Sequence, residues 1–142
     1  MNIFTSKFLW TLYLSLILTG GVWAEEEGGE AAAPVAQYYN LTPAFVANFG
    51  GGKSKKLKFL KADISVRSSN ASAINEVNNH DALVRHQIVM LLSRQTEQTL
   101  STPEGQEAIR VEALSLVQAV LEKETGSGQI EDLFFTSFVV QR

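Results

Sequence analysis

The two histidines, His80 and His86, are the side chains most readily used for acid–base or metal chemistry near neutral pH. They lie six residues apart, which is about 240° of rotation on a helix, whereas histidines that share a metal on one helix face are four apart. The spacing therefore predicts surface or capping histidines and no metal site. The sequence has no cysteine, which excludes a thiolate nucleophile, a disulfide and cysteine-ligated zinc.

Carboxylates, serines and a glycine-rich run are also present, but they lack the partners or the spacing that catalysis or phosphate binding needs. Five carboxylates are interpreted as solvated helix-surface groups, since nothing pairs two of them across a cleft: Glu76, Asp81, Glu97, Glu107 and Glu112. Ser93 and Ser115 have no nucleophile elbow around them. The run from Gly50 to Ser54 resembles a phosphate loop, but its glycines are not spaced and a strand is predicted to follow. The sequence thus predicts no catalytic or cofactor-binding residue and a protein that is not an enzyme.

A cluster of lysines is the clearest candidate for a binding function. Five occur within nine residues: Lys53, Lys55, Lys56, Lys58 and Lys61. One interpretation is a charged hairpin tip and strand that prevent unwanted sheet pairing. The other is contact with anionic lipid headgroups at a membrane surface or with an acidic partner. The net charge of −3 argues against nucleic acid as a partner, because phosphate binding needs a basic field.

The first 37 residues have the composition of a targeting segment and a linker. In residues 1–24 a single basic residue, Lys7, precedes an apolar run, and small residues lead to Ala24. This pattern predicts a secretory signal peptide cleaved after Ala24, and a short membrane anchor is the alternative. Acidic residues follow the segment, so either interpretation places the rest of the chain outside the cytoplasm. Residues 25–37, rich in Glu, Gly and Ala, are predicted to be a linker.

Two strands and a hairpin are predicted at the start of the remaining chain, residues 38–142. Residues 39–49 are rich in aromatic and branched residues, with an irregular first half at Pro43. Residues 57–66 alternate, and four apolar side chains share one face: Leu60, Ala62, Ile64 and Val66. The glycines at 50–52 provide the turn between the two strands.

Three helices are predicted next. Residues 68–79 have a thin apolar stripe between polar caps, and a longer stripe runs from near Asn79 to Gln95. For the third helix, either Thr102 caps with Pro103 at the first helical position, or Ser101 and Glu104 form a capping box. Gly126 is the predicted stop.

A final strand is predicted over residues 130–141. Its apolar residues lie on both faces, which predicts a strand that is central or covered on both sides. Three phenylalanines are interpreted as core: Phe134, Phe135 and Phe138. A terminal strand can also be an edge that pairs with a neighbouring subunit. The element order predicts an α+β domain, a small antiparallel sheet with amphipathic helices packed on it.

Three segments, in this order and spacing, resemble the flagellar basal-body-associated FliL family. Residues 38–48 (YYNLTPAFVAN) resemble its entry strand, residues 102–110 (TPEGQEAIR) its helix start, and residues 133–141 (LFFTSFVVQ) its closing strand. Together they frame residues 38–142, nearly the whole domain.

The resemblance implies a non-enzymatic bacterial protein at the flagellar base, with a periplasmic domain of the stomatin/prohibitin (SPFH) type. It implies self-association into a ring, interaction with the stator proteins MotA and MotB, and support of flagellar rotation, swimming and swarming. It also implies an inner-membrane anchor, although only six residues precede Lys7 here. The alternative function is a stomatin-like periplasmic scaffold for another envelope complex.

Overall fold

The structure of the protein, a computed structural model, describes residues 35–50 and 58–141. The predicted signal peptide or anchor over residues 1–24 lies outside the described residues, as does nearly all of the predicted linker. Lys53, Lys55 and Lys56 also lie outside them.

Three antiparallel strands form one sheet: β1 (Gln37–Asn48), β2 (Phe59–Ser68) and β3 (Asp132–Gln141), in the order β1-β2-β3. The predicted hairpin of the first two strands is confirmed, with Ala47 opposite Leu60. Its predicted irregularity is also present, because the register shifts between Leu41 and Phe45, around Pro43. The four alternating apolar side chains of β2 are all buried.

The prediction that the last strand is central was wrong. The central strand is β2, which pairs on both sides, and β3 is an outer strand of the described sheet. Phe135 and Phe138 face the helices and are half-buried against the core, with their rings 5.0 Å apart. Phe134 lies on the other face beside Tyr38. Apolar residues on both faces of β3 thus reflect a partly exposed outer strand, and the interpretation of Phe134 as core was wrong.

Four helices follow β2 and precede β3. They are α1 (Ala71–Asn79), α2 (Asp81–Ser93), α3 (Glu97–Ser101) and α4 (Pro103–Thr125). The short helix α3 was not predicted. Thr96 caps it by accepting a hydrogen bond from the Thr99 N–H, and Leu100 is fully buried.

The predicted limits of the long helix α4 are confirmed. Thr102 is the N-cap, its hydroxyl accepting from the Gly105 N–H at 3.2 Å, and Pro103 is the first helical residue. Of the two alternatives, the Thr102–Pro103 start is therefore correct. Gly126 ends the helix with φ of 75°, a left-handed conformation that favours glycine.

The core lies between the helices and one face of the sheet. The apolar stripe of α2 is buried there (Val84, Ile88, Leu91 and Leu92), as is that of α4 (Ile109, Ala113, Val117 and Leu121). This confirms the α+β class, with helices packed on an antiparallel sheet. Within residues 35–50 and 58–141, no helix is long and apolar enough to cross a bilayer.

Candidate functional site

The two described lysines of the cluster have different environments. The Nζ atom of Lys58 lies 2.6 Å from an Oε atom of Glu97 on α3, and its side chain is 29% exposed. Lys61 is exposed on β2, opposite Val46 of β1 and Val139 of β3. Lys58 therefore forms an ion pair within the domain, whereas Lys61 faces solvent from the sheet.

The sheet face turned away from the helices, which we call the open face, is the main candidate surface. It carries four large side chains with substantial exposure: Tyr38 (62%), Val46 (58%), Phe59 (37%) and Val139 (54%). Lys61 lies in the cross-strand row between Val46 and Val139. Exposed apolar side chains around a cation are typical of a contact surface for another macromolecule.

An aromatic pair and an ion pair occupy one end of the open face. The ring centroids of Tyr38 and Phe134 are 6.3 Å apart, and Arg67 lies opposite Tyr38 with its Nε 3.5 Å from Glu131. The pKa of Glu131 lies below its ordinary value because Ser69 donates hydrogen bonds to the carboxylate from its side chain and backbone, and Arg67 adds a favourable charge. This end of the open face is thus held by polar contacts.

Arg110 fastens the start of β3 to α4. Its guanidinium contacts Glu107 at 2.6 Å and Asp132 at 2.5 Å, and it donates to the Leu133 carbonyl at 3.2 Å. The hydrogen bond from Arg110 lowers the pKa of Glu107, and the same bond raises the pKa of Arg110. Both groups are therefore charged at neutral pH and act as a structural clamp.

The histidines are separate from one another, as their spacing predicts. His80 lies between α1 and α2 with its Nε2 3.5 Å from Glu76, and His86 is exposed on α2. Among the residues that the structure describes, no group of three or more His, Asp or Glu side chains is placed to hold a metal. The groups with shifted pKa values belong to ion pairs. Glu107 and Arg110 also line a pocket with Pro103, Gln106, Phe134 and Phe135.

The sequence did not identify the apolar residues of the open face as functional. Alternation along β2 separates Lys61 from the buried residues. Residues directly opposite each other on neighbouring strands share a face, so Val46 and Val139 lie on the same face as Lys61. Identifying these opposite residues requires the strand order and register, which the sequence alone did not provide.

Comparison with known proteins decides the family. The family model described as "Flagellar basal body-associated protein FliL" matches residues 38–141. The chain belongs to the FliL family. The match spans nearly all of the three strands and all four helices, so the open face and the β3 strand are parts of the FliL domain. The resemblance noted in the sequence is confirmed.

A curated FliL relative agrees with this assignment. "Flagellar protein FliL" of Aquifex aeolicus (strain VF5) is 28% identical to this chain over 111 residues, which is 78% of this chain. The aligned region is 65% of the relative, so the chain matches less than two thirds of the length of that FliL protein.

Proposed function

We propose that this protein is a non-enzymatic accessory of the bacterial flagellar basal body that supports stator function, flagellar rotation, swimming and swarming. Membership of the FliL family supports this proposal, because both the family and the relative carry flagellar names. We further propose that the domain lies on the periplasmic side of the inner membrane and self-associates, with a ring as the assembled form. Its partners in this proposal are MotA-like and MotB-like stator proteins.

The open face is the surface through which we propose that the basal body or stator is bound. The observation that carries this is the row Val46, Lys61 and Val139, in which exposed apolar side chains flank a cation on a rigid sheet. A sheet holds side chains at fixed spacing, so binding there costs little conformational entropy. An acidic and partly apolar partner surface would match it.

A binding role fits the described side chains better than catalysis. Glu107 and Arg110 have shifted pKa values and form a hydrogen-bonded ion pair. Glu131 also has a shifted pKa, and it accepts hydrogen bonds from Ser69 and lies 3.5 Å from Arg67. General acid–base catalysis needs such a group free to exchange a proton with a substrate in a cleft. These three residues are better explained as structural contacts that stabilise β3 and one end of the open face.

The lysine cluster belongs to the proposal as a contact for the inner-membrane surface or an acidic partner. Lys61 is exposed, whereas Lys58 is already paired with Glu97. The proposed contact therefore relies on Lys61 and on Lys53, Lys55 and Lys56 of the adjoining segment.

Complementation of a deletion strain tests the function. Swimming and swarming are measured while flagellar filaments are counted in the same cells. We expect impaired movement with normal filaments, and restoration by the unaltered gene. Unchanged movement in liquid and in viscous medium would contradict the flagellar proposal and favour a scaffold for another envelope complex.

Two matched substitutions test the open face in the same strain. Val46 on the open face and Val111 on α4 are similarly exposed, at 58% and 51%. Val46→Asp should restore movement at least several-fold less well than Val111→Asp, because only the former places a charge in the proposed contact. Equal restoration at equal protein levels would show that the open face does not bind a partner needed for motility.

A further inference from the structure

The two outer strands of the sheet differ in whether an extended peptide could pair with them. In β1, Pro43 has no N–H to donate, and its carbonyl accepts a hydrogen bond from the Arg85 guanidinium. The register shift between Leu41 and Phe45 further interrupts that strand. Proline and a bulge are standard devices that prevent a strand from pairing with another chain. The outer edge of β3 is therefore the better place for an added strand.

The last part of β3, residues 137–141 (SFVVQ), pairs with β2 on one side and with no described strand on the other. It contains no charge, no proline and no glycine, and no described side chain forms a hydrogen bond with its backbone. Every second residue of an antiparallel strand directs its N–H and C=O away from the paired neighbour, so the segment presents backbone donors and acceptors at its outer edge. Phe138 and Val140 are only half-buried on the helix face, so an added strand would also cover apolar surface.

A pocket of about 290 Å³ lies beside the preceding residues of the same edge. Phe134 and Phe135 both line it, although consecutive residues of a strand point to opposite faces. A pocket that touches both side chains lies at the outer edge of β3, because β2 occupies the inner edge. The first turns of α4 form the opposite wall, with Pro103, Gln106, Glu107 and Arg110.

The wall formed by α4 has an excess of negative charge. The Nε and Nη2 atoms of Arg110 donate to Glu107 at 2.8 and 2.6 Å. Its Nη1 donates to Asp132 at 2.5 Å and to the Leu133 carbonyl at 3.2 Å. One guanidinium thus faces two carboxylates and has little capacity left for an anionic ligand. Glu107 is 59% exposed, and the hydrogen bond from Arg110 lowers its pKa, so a ligand meets a carboxylate at neutral pH.

A basic side chain matches this pocket. Its cationic end would meet Glu107, and its apolar stem would pack on the rings of Phe134 and Phe135, whose faces attract cations. Sites for free small molecules usually enclose about 300–1,000 Å³, so this pocket is closer in size to one long side chain. In strand-addition complexes the backbone hydrogen bonds provide affinity, and a side-chain pocket beside the edge provides specificity.

We propose that residues 137–141 bind an extended segment of a partner protein as a fourth strand, and that the pocket between β3 and α4 receives a lysine or arginine of that segment. The part of the segment paired with residues 137–141 is uncharged and rich in β-branched residues, which suit an uncharged outer strand. This inference goes beyond the proposed function, because it assigns a peptide site to the edge of β3 and does not depend on a flagellar role.

Fluorescence anisotropy with the full chain, purified in detergent, tests the site. The probes are labelled peptides of about eight residues, long enough at about 3.3 Å per residue to pass from Gln141 to the pocket. Each alternates valine and threonine and carries arginine at its first or its last position, because a strand can be added in either direction. One of the two should bind about five-fold more tightly than the same peptide with uncharged norleucine in place of arginine. Equal affinities, or no binding of either peptide, would overturn the proposal.

A matched pair of variants tests the pocket. Glu107→Gln should abolish the preference for arginine over norleucine, because it removes the charge and keeps the shape of the side chain. Glu124→Gln, near the other end of α4, should retain the preference. Unchanged binding of the norleucine peptide by both variants shows that they are folded. A preference that survives in Glu107→Gln would refute the pocket.

Amide hydrogen exchange tests the edge. The bound arginine peptide should slow exchange in residues 137–141 and leave residues 37–41 of β1 unchanged, because only the former gain backbone hydrogen bonds. Protection in β1 instead would refute pairing at β3. Protection of residues 137–141 that appears without peptide as the protein concentration rises, and that excludes the peptide, would assign the edge to a second copy and overturn the proposal. Motility of the deletion strain is a separate measurement, so a flagellar role would survive either failure.

Discussion

Gly105 shows how a single residue joins two helices. A Cβ atom at this position would lie 2.1 Å from the Thr99 carbonyl oxygen and 2.8 Å from the Thr102 hydroxyl. Helix α3 therefore approaches the first turn of α4 so closely that only glycine fits between them. In the sequence, residues 102–105 are only a common pattern for the start of a helix. The close approach of α3 explains why position 105 is a glycine.

Gly105→Ala should destabilise the protein by about 1–3 kcal/mol, the usual cost of overpacking. The sign of this change in the free energy of unfolding is diagnostic, because Gly→Ala at an open helix position normally stabilises a protein by about 1 kcal/mol. Urea unfolding checks it, with Glu104→Ala, at the exposed neighbouring position, as a control expected to stay within about 0.5 kcal/mol. A stabilising effect would contradict the close approach of α3.

Glu131 gives the protein a pH-dependent contribution to stability. Its pKa is lowered in the folded state by hydrogen bonds from Ser69 and by Arg67. A group with a lowered folded pKa stabilises the fold above its unfolded pKa and loses this effect as the pH falls through the folded value. Glu131→Gln should therefore be less stable than the wild type at neutral pH, with the difference shrinking below about pH 4.5.

Thermal unfolding from neutral to acid pH measures this difference. Glu124→Gln is the control, since Glu124 makes no hydrogen bond or ion pair with the other described residues, and its curve should run parallel to the wild type. A Glu131→Gln difference that is constant with pH would show that the lost stability does not come from ionisation of this carboxylate.

At the scale of elements, the irregular part of β1 is held by α2. The Arg85 guanidinium lies 4.3 Å from the centroid of the Phe45 ring and donates to the Pro43 carbonyl. One side chain of α2 thus contacts both the bulge of β1 and the buried residue that follows it. The helix supplies the hydrogen bond that the interrupted ladder cannot.

Arg85→Met should lower the free energy of unfolding by about 1–3 kcal/mol, because it removes this hydrogen bond and the cation–π contact. Arg94→Met is the matched control on the residue that follows α2. Arg94 is 62% exposed and 3.9 Å from Glu112, so its loss should cost at most about 0.5 kcal/mol. Equal effects in chemical denaturation would contradict the anchoring role of Arg85.

At the scale of the whole molecule, the helices cover one face of the three-stranded sheet, and within residues 35–50 and 58–141 no element covers the other face. The open face carries the proposed partner contact. The SPFH-type relationship remains a prediction of the sequence resemblance.

Reversing the charges of Lys53, Lys55 and Lys56 to Glu should leave a folded protein that binds anionic phospholipid vesicles several-fold more weakly at low salt. Lys58 is left unchanged because of its ion pair with Glu97. Vesicle co-sedimentation measures binding, and circular dichroism checks the fold. Lys123→Glu on α4 is a control at a distant site. Binding that is unchanged at low salt would contradict the lipid contact and favour the alternative, in which the lysines only prevent unwanted sheet pairing.

Much of the local structure could be predicted because its causes are local. The alternation of β2 and the stripes of α2 and α4 depend on side chains a few residues apart. The cap at Thr102 and the stop at Gly126 depend on one residue each. The family resemblance in three ordered segments also came from the sequence and was confirmed by the match to residues 38–141.

The sequence by itself determined the α+β class, most element limits and the FliL family, since each follows from short-range patterns or from similarity along the chain. Only the tertiary structure decided that β2 rather than β3 is central, that Lys58 pairs with Glu97, and that Phe134 lies outside the core. These outcomes depend on which strands become neighbours and on which face the helices cover. Both are set by packing between residues far apart in sequence, where apolar composition alone cannot distinguish an inner strand from an outer one.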